Sequence, residues 1–209
     1  MLHLLKNTIE NFVFSFKFSR KNKILVTKKS NIRRSKIGNC GTKNYIEIEN
    51  SNLVGVSISF VGSGNKLIIR GGGQFNGCNF AFRGDNNQIV IDSDCLIEHG
   101  CELFVSGGKT INIGKNTLIA KNCSIFTSDL HFIYLKGKQI NLEKNIYIGE
   151  HCWICQNCTI LKGTIIPDNN IVASNSLVLK NFSLENTLIG GLPAKVLKTN
   201  IEWSRYNKK

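Results

Sequence analysis

The chain has 209 residues, 42% of them hydrophobic, which is enough for one domain with a continuous core. No apolar run reaches the length of a transmembrane helix, and the N-terminus lacks the small-residue cleavage site of a signal peptide, so a cytoplasmic protein is expected. Twenty-seven Lys and Arg against 14 Asp and Glu give a net charge of +13, which favours an anionic partner: an acidic membrane surface, an acidic polysaccharide, a phosphorylated cofactor or nucleic acid. The aromatic and glycine placement fits no nucleic-acid module, and nucleic acid is set aside on that ground.

The first thirty-five residues differ in texture from the rest. Leu2, Leu5, Ile9, Phe12, Val13 and Phe16 follow a helical period, and Lys17, Arg20, Lys21 and Lys23 add a basic run. Two readings stay open for 1–35. One is a helical cap on the open end of the domain that follows; the other is a basic amphipathic segment in peripheral contact with the inner face of the membrane.

From residue 36 a repeat takes over. Ile48/Val54/Phe60, Ile69/Phe75/Ala81, Ile91/Ile97/Leu103 and Ile113/Ile119/Ile125 are triplets with an internal spacing of six, and their starts lie 21, 22 and 22 residues apart. Near the C-terminal end the pattern becomes strict at Ile148, Ile154, Ile160, Ile166, Val172 and Val178. Small or polar residues follow four places on, at Cys152, Cys158, Thr164, Asn170 and Ser176, and share the inward side of a strand of period two. A short strand and a corner every six residues wind the chain into a triangular coil whose turns bury their apolar sides only by stacking. The expected fold is therefore an all-β parallel solenoid over 36–182, with Gly/Asn-rich turns at one corner, and a closing segment over 183–209.

Eight cysteines suggest disulfides or zinc at first sight. Cys95, Cys101, Cys123, Cys152 and Cys158 instead take the small inward position of a hexad, as Ser, Thr or Ala would. The C-x2-C spacing of Cys152, Cys155 and Cys158 is a zinc signature, but the repeat sends the first and last inward on different strands with Cys155 at a corner, so no metal is expected there.

One segment does not fit the coil. The interval from Ile125 to Ile148 is 23 residues, and its surplus, about 127–143, must leave the prism as a loop carrying Ser128-Asp129-Leu130-His131. On one face the outward residues read Leu53, Gln74, Leu96, Leu118, Trp153 and Ile171, an apolar strip that either packs against another copy of the chain or is covered by its own termini.

Ser128-Asp129-Leu130-His131, the stretch Asn145 to Ile154 and Gly191-Leu192-Pro193-Ala194-Lys195-Val196 together resemble the hexapeptide-repeat acyltransferases, most nearly the O-acetyltransferases of capsule, lipopolysaccharide and exopolysaccharide clusters. The resemblance is densest from Thr127 to Lys198 and implies a left-handed parallel β-helix with short terminal helical segments, a homotrimer with its active site between subunits, acetyl-CoA as donor and no metal. It implies His131 as the base that takes a proton from a sugar hydroxyl, with Asp129 as the nearest candidate to orient it. It implies the backbone and indole of Trp153 at the oxyanion, although Trp153 also has an interface role to fill in the outward column. Pantetheine contacts follow near Cys155, Ala173 and Ser174, and phosphate contacts at Lys180 and Lys195, both of which also read as ordinary solvated charges. Where relatives carry glycine, this chain has Cys155, Pro167 and Ala173, and Ser174 stands where alanine is common; the Cys155 side chain crowds a cofactor approach that glycine would leave open.

The acceptor expected is a glycan, and the positive charge tilts it toward an anionic polymer containing sialic or uronic acid. Alternatives are N-acetylation of an amino sugar, a non-catalytic β-helix scaffold, and a zinc carbonic anhydrase on the same fold; the last needs His99, His131 and His151, whose spacing does not match.

Overall fold

In the computed structural model the described residues are Phe12–Phe14 and 21–207. They form a parallel β-solenoid of about seven turns, with three sheets as the faces of a triangular prism. Face I holds seven strands from Lys23–Val26 to Ile165–Ile166. Face II holds nine, from Asn31–Arg33 to Ala194–Lys198, and face III holds eight, from Phe12–Phe14 to Leu177–Val178. Each coil runs I, II, III, and each strand pairs in parallel with the strand one turn away.

Alternation builds the core. On face II the inward row is Ile32, Leu53, Phe75, Ile97, Ile119, Ile154, Val172 and Ile189, all essentially inaccessible. Burying such a side chain stabilises the fold by roughly 1.5–3 kcal/mol, and β-branched residues suit the pleat. At the corners the chain turns with Asn in the left-handed region, as at Asn116, Asn122, Asn157, Asn169 and Asn175, a conformation Asn tolerates better than other side chains.

Two expected registers shift by one residue. Leu53 points inward and Val54 does not, so the outward column of face II runs Asn31, Asn52, Gln74, Leu96, Leu118, Trp153, Ile171 and Leu188. Ala81 points outward between the buried Phe80 and Phe82. The cause is corner length. The turn from Ile48 to Leu53 is one residue shorter than the turn from Ile69 to Phe75. The corner at Gly77, whose φ is +52°, is likewise shorter than the one holding His99 and Gly100.

The solenoid also starts earlier than residue 36. Ile24, Val26 and Ile32 already continue the inward rows, and Lys23–Val26 and Asn31–Arg33 pair with the next coil. The helical segment expected at the C-terminal end is corrected: no helix occurs among the described residues. Phe12–Phe14, read as helical from its spacing, pairs as a strand with Ser35–Ile37, because an open sheet edge satisfies its backbone directly. The rest of the basic N-terminal segment, 1–11 and 15–20, lies outside the described residues. At the other end, Leu188–Gly191 turns through Leu192-Pro193 into the antiparallel Ala194–Lys198.

The cysteine expectation holds at every position named. Cys95, Cys101, Cys123, Cys152 and Cys158 are buried and unpaired. Burial pushes the thiols of Cys95 and Cys152 up to about 12, so they stay neutral fillers. The corner between faces III and I carries a ladder that the periodicity did not reveal. Buried Asn44, Asn65 and Asn87 bond each other coil to coil: Asn44 Oδ1 accepts from the Asn65 amide at 2.9 Å, and Asn65 Oδ1 accepts from Asn87 Nδ2 at 2.8 Å.

Candidate active site

The exit loop leaves the III/I corner after the strand Ser124–Phe126. Its base is anchored by the buried Thr127, whose carbonyl accepts the amide of Lys144 at 3.2 Å and whose hydroxyl accepts the amide of Ser106 at 3.0 Å. Beyond the base it forms a two-stranded antiparallel hairpin, Tyr134–Leu135 against Lys138–Gln139. Its side chains are apolar yet uncovered: Phe132, Tyr134 and Leu135 are 64%, 62% and 61% exposed, and Leu130, Ile133, Ile140 and Leu142 are exposed too.

His131 sits on the outgoing limb, exposed, and its ring makes no hydrogen bond among the described residues. Asp129 does not orient that ring here. Its carboxylate takes a very short bond from Lys162 Nζ and one of 3.0 Å from Asn141 Nδ2. Partial burial works to raise its pKa, but the bonds from Lys162 and Asn141 and the lysine charge outweigh that and hold it below the ordinary carboxylate value. Lys162 and Asn141 are the residues that sequence reasoning missed. Lys162 stands at the III/I corner one coil further on, directly after Thr159–Leu161, and its position could have been found by counting hexads onward from the loop.

Trp153 is on face II, in the outward column between Leu118 and Ile171. Its amide donates to the Asn170 carbonyl at 2.9 Å, so the backbone donor expected at an oxyanion is engaged in the coil ladder. Only the indole N–H stands free among the described residues. The amides of Cys155 and Ala173 are likewise held, by Val172 and Ile189, at the corner between faces II and III. Ser174 beside them is exposed and offers its hydroxyl. Lys180 lies over the ring of Phe182 at 5.4 Å, and Lys195 is exposed on the closing hairpin opposite Gly190.

In a triangular prism, face II is opposite the III/I corner. One copy therefore does not bring His131 and Trp153 together; a site that uses both takes the loop from one molecule and face II from another.

The tail partly covers the outward column, as the second of the two readings expected. Trp203 stacks on His151 with centroids 4.3 Å apart, lies 5.8 Å from Trp153, and donates its indole N–H to the His151 carbonyl at 2.7 Å. Arg205 then donates to the carbonyls of Asp94 and Asn116. His151, whose Nδ1 accepts from Asn116 at 2.8 Å, is a strap anchor. Among the described residues no three His, Cys, Asp or Glu side chains group as a metal site.

Beside the loop, on face III, lies a groove of about 430 Å³ whose floor is Phe104 and Phe126, rings 5.8 Å apart. Leu130 forms its rim, and Arg83 and Glu102 flank it. Glu102 accepts from Asn79, whereas the guanidinium of Arg83 has no partner among the described residues.

A polysialic acid O-acetyltransferase of Neisseria meningitidis is 31% identical over 188 residues, which cover 79% of this chain and 87% of the relative. The chain belongs to the hexapeptide-repeat acyltransferases. This acyltransferase is also similar to an uncharacterized 24.8 kDa protein in the cps region of Klebsiella pneumoniae, 33% identical with 86% and 83% of the two chains covered. The crystal structure of the polysialic acid O-acetyltransferase OatWY matches it with a TM-score of 0.87 at 30% identity over 90% of each chain. No protein-family model matches the sequence. The fold is accordingly a left-handed parallel β-helix, and the protein is an enzyme of acyl transfer.

Proposed function

We propose that this enzyme moves an acetyl group from acetyl-CoA to a hydroxyl of an anionic cell-surface polysaccharide of the sialic-acid type, at sites formed between copies of a homotrimer. His131 takes the hydroxyl proton as the sugar oxygen bonds the thioester carbonyl carbon. The oxyanion of the tetrahedral intermediate meets the indole N–H of Trp153 from the neighbouring copy, the C–S bond breaks, and the imidazolium returns its proton to the departing thiolate. Asp129 serves by holding the loop. The pantetheine runs past Cys155, Ala173 and the Ser174 hydroxyl, and Lys180 and Lys195 answer the phosphates.

The observation that carries this reading is the opposition of loop and Trp153 on the prism, together with an apolar hairpin that is uncovered in a single chain. The relatives named for polysialic acid, the net charge of +13 and an Arg83 guanidinium without a partner among the described residues, beside an aromatic floor, support an anionic glycan as acceptor. A coenzyme A donor is consistent with a cytoplasmic enzyme.

Subunit mixing is the direct test. His131→Ala and Trp153→Ala proteins are each assayed with acetyl-CoA and polysialic acid, then dissociated together and reassembled. Recovery of activity in the mixture, absent from either variant alone, is expected, because some contacts then pair an intact loop with an intact Trp153. No recovery, with reassembly verified, overturns the inter-subunit site. Equal activity of His131→Ala and the unaltered enzyme overturns the base.

A further inference from the structure

We propose that Asn141, on the returning limb of the loop, is the positioning residue for His131. The inference rests on His131 as the base but concerns a residue whose bonds, to Asp129, His131, Ile133 and Lys162, are all within the chain. The Asn141 side chain bonds three residues that alternate along the outgoing limb: Nδ2 donates to the His131 carbonyl at 2.7 Å and to Asp129 Oδ2 at 3.0 Å, while Oδ1 accepts the Ile133 amide at 2.7 Å. One amide thus fixes the chain before, at and after His131, and every polar atom of it is used.

The clamp is itself tied to the prism. Lys162 Nζ donates to the Asn141 carbonyl at 2.7 Å as well as to Asp129, and the lysine side chain is only 15% exposed. The position of the loop is therefore referred to a rigid coil one turn away and not to its own hairpin.

A second observation shows what the clamp holds. Leu130, immediately before His131, has φ of +68°, a left-handed conformation unfavourable for a residue that is neither Gly nor Asn. Such a conformation persists only where the surroundings over-determine it. Here they are the Asn141 bonds on either side and the Ser128 hydroxyl, which accepts the Leu130 amide at 3.0 Å. The twist at Leu130 sets the direction in which the His131 Cα–Cβ bond leaves the backbone. Because the ring has no hydrogen bond of its own among the described residues, backbone direction is what aims it.

Asn141→Ala is compared with Leu130→Gly/Asn141→Ala and His131→Ala, using acetyl-CoA and polysialic acid. For Asn141→Ala, kcat is expected to fall about 10- to 100-fold, the size of effect that a displacement of about 1 Å produces. KM for acetyl-CoA should stay within about twofold, with an unchanged acidic limb of the pH profile and unchanged melting, since the base itself is intact. Adding Leu130→Gly, which removes the steric objection to positive φ, should restore part of kcat. Amide exchange of the peptide spanning 127–143, measured without substrate, should accelerate at least about tenfold. Unchanged exchange, or kcat within about twofold of the unaltered enzyme, overturns the clamp. Full activity in His131→Ala overturns the base, and the clamp then stands or falls on amide exchange alone.

Discussion

The corner between faces III and I is built twice, in two ways. In the early coils it turns in place around Asn44, Asn65 and Asn87, amides buried in the prism and bonded from coil to coil. At the exit loop an amide again holds the turn, but Asn141 is outside the prism, bonds within its own loop, and reaches the coil through Lys162. The first device repeats and stabilises; the second occurs once and aims a side chain. A solenoid supplies rigidity by repetition, so a chemistry-bearing element on it must break the repeat yet borrow its stiffness.

The sharpest way to break the comparison is excision. Replacing 129–142 with two glycines is expected to lower kcat by at least about 10² to 10⁴, the contribution of a positioned base, while leaving the melting temperature within a few degrees, because no buried row of the core passes through the loop. Loss of the fold on excision would show that the loop is structural. In the ladder the effect should reverse. Asn65→Ala leaves the buried Asn87 backbone amide without its acceptor and takes one of three acceptors from Asn87 Nδ2, and a loss of about 1–3 kcal/mol in denaturant unfolding is expected, with kcat unchanged; an effect below about 0.5 kcal/mol would make the ladder incidental.

The smallest effect concerns pH. The folded-state pKa of Asp129 is lowered, so the stabilisation it gives the loop is full above the ordinary carboxylate value of 3.8 and is lost as pH falls through the lower folded value. Amide exchange in the loop, corrected for its intrinsic pH dependence, should remain protected at pH 3.8 and loosen only in stronger acid. Loosening already at about pH 5 would mean that the pairing with Lys162 does not persist in solution.

Much of this was legible in the sequence, for a definite reason. Period-two alternation and hexad spacing express burial directly, so the inward rows, the buried cysteines and the exit at Thr127 could be read by counting. Leu53 and Ala81 escaped because a corner one residue shorter inverts every following side chain until the next corner restores the phase. Asn141 and Lys162 escaped for a different reason. Their roles depend on a meeting between a returning limb and a later coil, separations of 10 and 33 residues from the residues they hold, and no local pattern encodes that contact.

The reversal at Leu192-Pro193 has a consequence for the molecule as a material. Parallel coils stacked at their ends would be a template for indefinite growth, one molecule continuing the sheets of the next. Because Ala194–Lys198 runs antiparallel along Leu188–Gly191, the last rung of face II offers an incoming coil the wrong polarity of donors and acceptors, and a rod that would otherwise polymerise is terminated at that end by its own chain direction.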